Sequence, residues 1–312
     1  MDAAERTVTL AVVGVGHLGQ HHARIYAELP GVELVAVVDI AEGRRREVGE
    51  RLRVQAVADY RELLGQVDAV SVAVPTLLHH QIARDFLKAG SDVLVEKPIT
   101  QLLAEADELI AVAKGGERIL QVGHSERYNG GVQALAAHVR DPGFIEVHRM
   151  GPFPGRGTDV DVVLDLMIHD IDIVLTLVKA PVTAVSAVGV PVVSDQVDIA
   201  NARLEFATGC VANITASRVT GERLRKIRVF QRDTYFILDY ANQELHSLRP
   251  THPGNPGQSH LSRVDIPVAR VEPLRQELMD FVSSVRSRRS PMVPGEAGRD
   301  AVAVAVQIIE RL

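Results

Sequence analysis

Cysteine occurs once in this chain, tryptophan not at all, and aromatic residues make up only 4%. A lone Cys210 excludes an internal disulfide and a thiolate metal cluster. Its neighbours in Gly209-Cys210-Val211-Ala212 are apolar, which marks a buried filler rather than a nucleophile served by a base. So few aromatics leave little to stack on bases, and no long run of one charge sign appears. The basic clusters Arg44-Arg45-Arg46 and 286–289 sit beside acids or a helix end and read as solvated helix faces. No uncharged apolar stretch reaches the roughly twenty residues of a membrane span. The start Met1-Asp2-Ala3-Ala4-Glu5-Arg6 is polar and acidic, unlike a secretory leader. These absences predict a cytoplasmic chain with neither nucleic acid nor membrane as a partner.

What is present belongs to folded domains: 46% apolar and 24% charged residues, a net charge of −6, and 312 residues, more than one core usually organises. Residues 8–13, 34–38, 69–74, 93–95 and 119–122 are short apolar runs. Between them lie helical patterns at 17–29, 42–52, 77–89 and 102–113. Continuous apolar strands alternating with helices predict a doubly wound parallel sheet in residues 1–122. From 123 to 312 the pattern changes to a long apolar helix, 162–178, followed by strand patterns at 182–190, 198–206, 210–219, 225–231 and 235–240. Turn signals such as Ala207-Thr208-Gly209 between them predict an α+β domain on an open, largely antiparallel sheet. A loop is expected at 250–257, and two helices, 271–287 and 296–312, end the chain.

Gly14-Val15-Gly16-His17-Leu18-Gly19 is a complete G-x-G-x-x-G between the first strand and the first helix, the context that motif needs to bind a dinucleotide. The first glycine permits the turn, the second admits a pyrophosphate, and the third lets helix and strand pack. Asp39 ends the second strand twenty residues beyond Gly19. There it can accept from the adenosine ribose, and its charge would repel a 2′-phosphate. NAD is therefore the expected cofactor, with NADP kept as the alternative by Arg44, Arg45 and Arg46.

Glu96-Lys97-Pro98 follows the strand 93–95, and ligands of such sheets bind outside the carboxyl ends of strands. The chain has five Lys against twenty-nine Arg. Only a lysine can be tuned toward neutrality and share acid–base work, although a surface salt bridge with Glu96 is the competing reading. Val74, Pro75, His79, Glu96 and Lys97 are expected to border the cofactor. His79 and His80 make no metal pair, because adjacent helical residues diverge. On the apolar helix, Asp165, His169, Asp172 and Thr176 share one stripe, and Asp170 falls off it. A carboxylate one turn from an imidazole fits a general base for alcohol oxidation. A helix-start Asp beside a satisfied core His is the alternative, and a metal site lacks a second cluster of ligands. No metal is expected.

Taken in this order and at these intervals, the three motifs resemble those of the Gfo/Idh/MocA oxidoreductases, across essentially the whole chain. The resemblance implies a Rossmann domain followed by an open-sheet domain, with Lys97, Asp165 and His169 as the catalytic constellation. Gly123-His124-Ser125-Glu126-Arg127-Tyr128-Asn129 is similar to the family's G-H-x-x-R-F-N segment, with Tyr128 for Phe. It departs from many members in carrying Gly130-Gly131 where they have Pro-Ala. Residues 163–172 and Thr215-Ala216-Ser217-Arg218 are similar to members that oxidise the C3 hydroxyl of UDP-N-acetylglucosamine to a ketone. In those members an aminotransferase then makes a 3-amino sugar for lipid A. The resemblance therefore implies a nucleotide-sugar substrate, a downstream aminotransferase as partner, and a homodimer or homotetramer that buries the open sheet face. His124, Arg127, Tyr128, Asn129, Arg149, Arg156 and Arg218 are the expected substrate-binding residues, the arginines as bidentate donors to a diphosphate. The last helix is expected to be able to pack back on the first domain. Two alternatives stand beside this reading: a dehydrogenase of a free polyol such as an inositol, and a non-catalytic dinucleotide sensor with no need of Lys97, Asp165 and His169.

Overall fold

The computed structural model describes residues 6–153, 161–252 and 260–312. Their contacts divide them into two units, one running up to Ser125 and including Glu272–Val302, the other comprising Glu126–Val271 and Ala303–Leu312.

The first unit holds six parallel strands: β1 (Val8–Val13), β2 (Val32–Val38), β3 (Gln55–Val57), β4 (Ala69–Val72), β5 (Asp92–Glu96) and β6 (Leu120–Gly123). Their order is β3-β2-β1-β4-β5-β6, so the winding reverses between β1 and β4, where such sheets bind ligands. Every residue of β4 and β5 is buried, which explains apolar runs without alternation. The crossovers carry α1 (Gly19–Glu28), α2 (Glu42–Leu52), α3 (His79–Lys88) and α4 (Leu103–Gly115). Five strands and four helices stand where the sequence predicts them. The three-residue β3, with only Val57 buried, has no apolar run to announce it.

A helix far along the chain completes this unit. In α7 (Pro273–Ser287), Leu278, Phe281, Val282 and Val285 are buried in the cluster that holds Val8, Leu10 and Val12 of β1 and Ile25 and Tyr26 of α1. Sequence reading left all of 123–312 outside the first domain and considered only the last helix for a return. The element that joins the first core is α7, followed by the start of α8 (Gly295–Ile309).

In the second unit an eight-stranded sheet is built from β7 (Phe144–Met150), β8 (Val182–Val190), β9 (Ile199–Phe206), β10 (Val211–Ser217), β11 (Leu224–Gln231), β12 (Thr234–Asp239), β13 (Glu244–Pro250) and β14 (Leu261–Ile266). The order is β14-β13-β12-β11-β7-β10-β9-β8, antiparallel throughout except for the parallel β7–β10 pair. Alternate residues of β7 and β9 are buried, so one face carries the core. Helices α5 (Gly130–His138) and α6 (Ile168–Val178) pack against the sheet.

Central β7 escapes the sequence pattern because Arg149 takes the inward position where an apolar residue would continue the alternation of Ile145 and Val147. α5 escaped because it begins with two glycines. A Cβ at Gly130 would lie 1.9 Å from the Ala269 carbonyl oxygen, and one at Gly131 2.5 Å from Leu238 Cδ1. The departure from Pro-Ala is thus a fitted contact, closed by Asn129, whose Oδ1 accepts from the Gly131 amide at 3.0 Å. Of the expected 250–257 loop, Pro250 ends β13 and residues 253–257 lie outside the described residues. Cys210 is 1% exposed and its thiol is pushed up to about 11 by burial, as a filler residue should be. Among the described residues no helix is long and apolar enough to cross a membrane.

The place of α7 in the first core is testable. Phe281 is fully buried there, so Phe281→Ala is expected to cost about 3–5 kcal/mol of stability in urea unfolding. A cost near zero would remove α7 from that core.

Candidate active site

The C-terminal ends of β1, β2 and β4 border a cleft of about 560 Å³ lined by Gly14, Gly16, Asp39, Ile40, Arg44, Val74 and Pro75 among others. Gly14 has a φ of +85°, which a side chain rarely tolerates, and a Cβ there would fall 2.6 Å from the Ala73 oxygen. A Cβ at Gly19 would fall 1.8 Å from the Gly14 oxygen, so α1 begins directly against the turn. At Gly16 the nearest described atom would be Arg44 Nη1, at an ordinary 3.5 Å. Packing within the protein therefore explains Gly14 and Gly19 but not Gly16. Its bare backbone suits a ligand approaching from the cleft. His17 and Leu18 complete the turn and are exposed. No side chain caps α1 and no acid occupies its first turn, so the positive end of its dipole is open to phosphate groups.

Asp39 is fixed by backbone amides from the glycine turn and from the residues that follow it. Its Oδ2 accepts from the Val15 amide at 3.1 Å and its Oδ1 from the Ala41 amide at 2.9 Å. The Arg44 guanidinium stands 3.9 Å away, so a carboxylate and a cation share this end of the cleft.

At the end of β5 the Glu96 side chain turns inward. Its Oε1 lies 3.0 Å from His22 Nε2, and its Oε2 accepts from the Lys97 amide at 3.2 Å. Lys97 is half-buried, and the Lys97–Pro98 peptide is cis. His79, expected at the cofactor, is 1% exposed and faces the protein instead. Its ring nitrogens each lie 2.9 Å from a carbonyl oxygen, Pro98 for Nδ1 and Val74 for Nε2. Burial lowers its pKa against those two contacts, and the ring bridges the β4 and β5 loops, where a neutral imidazole can donate to only one of the two carbonyls. His124, also in this unit, is 1% exposed.

In the second unit the apolar helix departs from a straight α-helix. Asp161 Oδ1 caps it, accepting from the Val163 and Leu164 amides at 2.8 and 3.1 Å. The turn Val163–Met167 is π-helical before α6 begins, a local widening often found at functional sites. This divides the expected polar stripe. Asp165 and His169 are half-buried on the π turn and just after it, whereas Asp172 is 2% exposed. Arg127 Nη1 donates to Asp172 Oδ1 at 3.0 Å and also bonds Thr176. Burial still raises the Asp172 carboxyl to about 6, with Arg127 pulling it back.

The remaining expected substrate residues have partners inside this unit. Arg149 bonds Asp170 through Nε and Nη2 at 2.7 and 3.0 Å, and Glu126 through Nη1 at 3.0 Å. Asp170, which falls off the helical stripe, is fully buried to meet it. Arg218 Nε donates to Asp198 Oδ1 at 2.8 Å, and the Oδ2 of Asp198 accepts from the amides of Val192, Val193 and Ser194. Tyr128 is 1% exposed, Asn129 is the α5 cap, and Arg156 lies outside the described residues. The arginines were expected to converge on a diphosphate. Arg127, Arg149 and Arg218 are each held by a carboxylate instead. Sequence reading missed those carboxylates, Asp170 and Asp198 above all, because each partner is twenty or more residues away.

The glycine geometry separates two roles. Gly16→Ala is expected to change unfolding stability by no more than about 0.5 kcal/mol while weakening NADH binding about tenfold or more in a fluorescence titration. Gly19→Ala should destabilise the fold as well. An alanine at 16 that binds NADH normally would show that the cleft holds no pyrophosphate.

Comparisons with known proteins agree with this geometry. Residues 8–124 match the family model described as an oxidoreductase family with an NAD-binding Rossmann fold, and residues 130–234 match the Gfo/Idh/MocA C-terminal domain. The chain is 39% identical over 301 residues to UDP-N-acetylglucosamine 3-dehydrogenase of Acidithiobacillus ferrooxidans, covering 95% of each chain. A solved structure of that bacterium's UDP-N-acetylglucosamine 3-dehydrogenase matches with a TM-score of 0.91 at 36% identity, over 98% of this chain and 97% of that one. Myo-inositol 2-dehydrogenase of Thermotoga maritima is 29% identical over 317 residues, 94% of this chain and 92% of that protein. A glycine turn with one glycine that packing leaves unexplained, an acid beside it at the end of β2 and both family domains lead to one conclusion: the chain belongs to the Gfo/Idh/MocA family of NAD-binding oxidoreductases.

Proposed function

We propose that this dehydrogenase oxidises the C3 hydroxyl of UDP-N-acetylglucosamine to a ketone, with NAD as cofactor. The observation that carries the reading is the 39% identity across 95% of both chains to an enzyme of that name, against 29% for the myo-inositol enzyme. Bound NAD supplies the hydride-accepting carbon. The chain's own residues bind, orient and move the proton. The Gly14–Gly19 turn and the α1 N-terminus hold the pyrophosphate, and Asp39 accepts from the ribose hydroxyls. His169, half-buried beside the π turn, takes the hydroxyl proton. Asp165, on that turn, orients the imidazole or the substrate. Lys97 hydrogen-bonds the reacting oxygen and shares the proton transfer. The keto product is a substrate for a glutamate-dependent aminotransferase, the partner this reading calls for. A second copy of the chain is proposed to cover the open sheet face, where Val188 and Val190 of β8 are 61% and 49% exposed.

A free polyol such as an inositol is the second reading, and one observation favours it. Arg127, Arg149 and Arg218 already neutralise carboxylates, so three of the cations invoked for a diphosphate have another explanation.

For the cofactor, the unmutated protein is expected to bind NAD more tightly than NADP, and Asp39→Ala to shrink the difference. Tighter NADP binding in a titration of the wild type would overturn the assignment. For the chemistry, Lys97→Ala and His169→Ala should each lose about 10²-fold or more in kcat. Wild-type turnover in both variants would put the reacting groups elsewhere. The substrate is decided by NADH formation with UDP-N-acetylglucosamine, UDP-glucose and myo-inositol, each with and without a coupled aminotransferase. Activity on inositol alone would establish the second reading.

A further inference from the structure

One face of the first unit's sheet, mostly apolar, contains a buried polar island. α1 contributes His22 and Tyr26, β4 contributes Ser71, β5 Glu96, β6 Gln121, and α7 Glu277. Glu96 is 6% exposed and the other five are at 0%. Contacts knit it together. His22 Nδ1 lies 2.7 Å from Ser71 Oγ, and its Nε2 lies 3.0 Å from Glu96. Gln121 Nε2 donates to the Glu277 carbonyl oxygen at 3.1 Å. A Cβ at Gly123 would fall 2.8 Å from Glu96 Oε2, so only glycine lets that carboxylate lie against β6. Neither carboxyl oxygen of Glu277 has a hydrogen-bond partner among the described residues, and neither has Gln121 Oε1. Two carboxyl groups in one dry island cannot both ionise cheaply.

We propose that Glu277 is a positioning residue of this dehydrogenase: a neutral acid that leaves the Glu96 carboxylate to His22 and the Lys97 amide, and so steadies the segment bearing Lys97. The proposal rests on the role given to Lys97 above. The titratable groups around Glu277 are Tyr26 and His22 from α1, Glu96 from β5 and Asp280 on α7 itself. Burial first, then the charges of Glu96 and Asp280, hold the Glu277 carboxyl well above the usual range. Burial likewise holds the Tyr26 hydroxyl well above its own range, with Glu277 and Glu96 adding to the shift. The folded chain thus keeps a proton that the unfolded chain releases near about 4.3. The stability this proton contributes is complete below that pH and drains as pH rises toward the folded value. Glutamine in its place would drain nothing.

Two variants of the full chain test the proposal. Glu277→Gln copies the neutral acid, and Glu277→Leu keeps bulk alone. Infrared spectra at neutral pH should show a protonated-carboxyl band in the wild type that E277Q lacks. E277Q should also gain stability on the wild type as pH rises above about 4.3. E277Q should keep kcat within about twofold, whereas E277L should lower it about tenfold with KM for the sugar unchanged. Amides of residues 96, 97 and 99 should exchange faster in E277L and not in E277Q. A carboxyl band undiminished in E277Q, which would assign it to another acid, or an E277Q less stable than the wild type at neutral pH, would overturn the proposal. An E277L that exchanges and turns over like the wild type would overturn it as well. A wild type inert toward every sugar would count against the functional reading alone, because the band, the stability and the exchange decide Glu277 without substrate.

Discussion

The first turn of α1 lies so close to the end of β1 that one added methyl group at Gly19 would sit 1.8 Å from the Gly14 oxygen. Much else follows from that approach. It aims the uncapped helix start at the cleft, where oriented amides favour phosphate. It also seats α1 against the sheet, so that His22 reaches Ser71 on β4 and Glu96 on β5. Cofactor turn and polar island are therefore two consequences of one packing contact. α7 closes the same face from the far end of the chain, bringing Phe281 to the core and Glu277 to the island.

A different constraint organises the second unit: guanidinium groups taken out of water must meet carboxylates. Arg149 on β7 reaches Asp170 on α6 and Glu126 before α5, while Arg127 reaches Asp172 and Arg218 reaches Asp198. Such pairs add little net stability over apolar replacements, yet losing one partner strands a buried charge. Their value is in fixing geometry. By holding Asp170 and Asp172, the arginines orient α6, and with it Asp165 and His169 at its start. An Arg-rich chain thus commits several of its cations to internal ion pairs.

Legibility in the sequence followed the range of the interactions. The Rossmann strands were readable because each is a continuous apolar run, and the turn motif because its glycines answer contacts a few residues away. β3 was too short, β7 too charged and α5 too rich in glycine to show a local pattern. Among site residues, Asp165 and His169 were readable as neighbours one turn apart. The burial of His79 against the Val74 and Pro98 carbonyls was not, since Pro98 is nineteen residues beyond it.

By itself the sequence determined the two-domain α/β organisation, the glycine turn with Asp39 at the end of the next strand, and the placing of Asp165 and His169 four residues apart on the long helix. All depend on periodicity or on spacings within a strand–helix unit, which local sterics and hydrophobic patterning dictate. Only the tertiary structure decided that α7 belongs to the first core, that the polar stripe of the long helix divides at a π turn, and which carboxylate each arginine meets. Those outcomes depend on burial and charge pairing between segments many residues apart, where no local pattern names the partner.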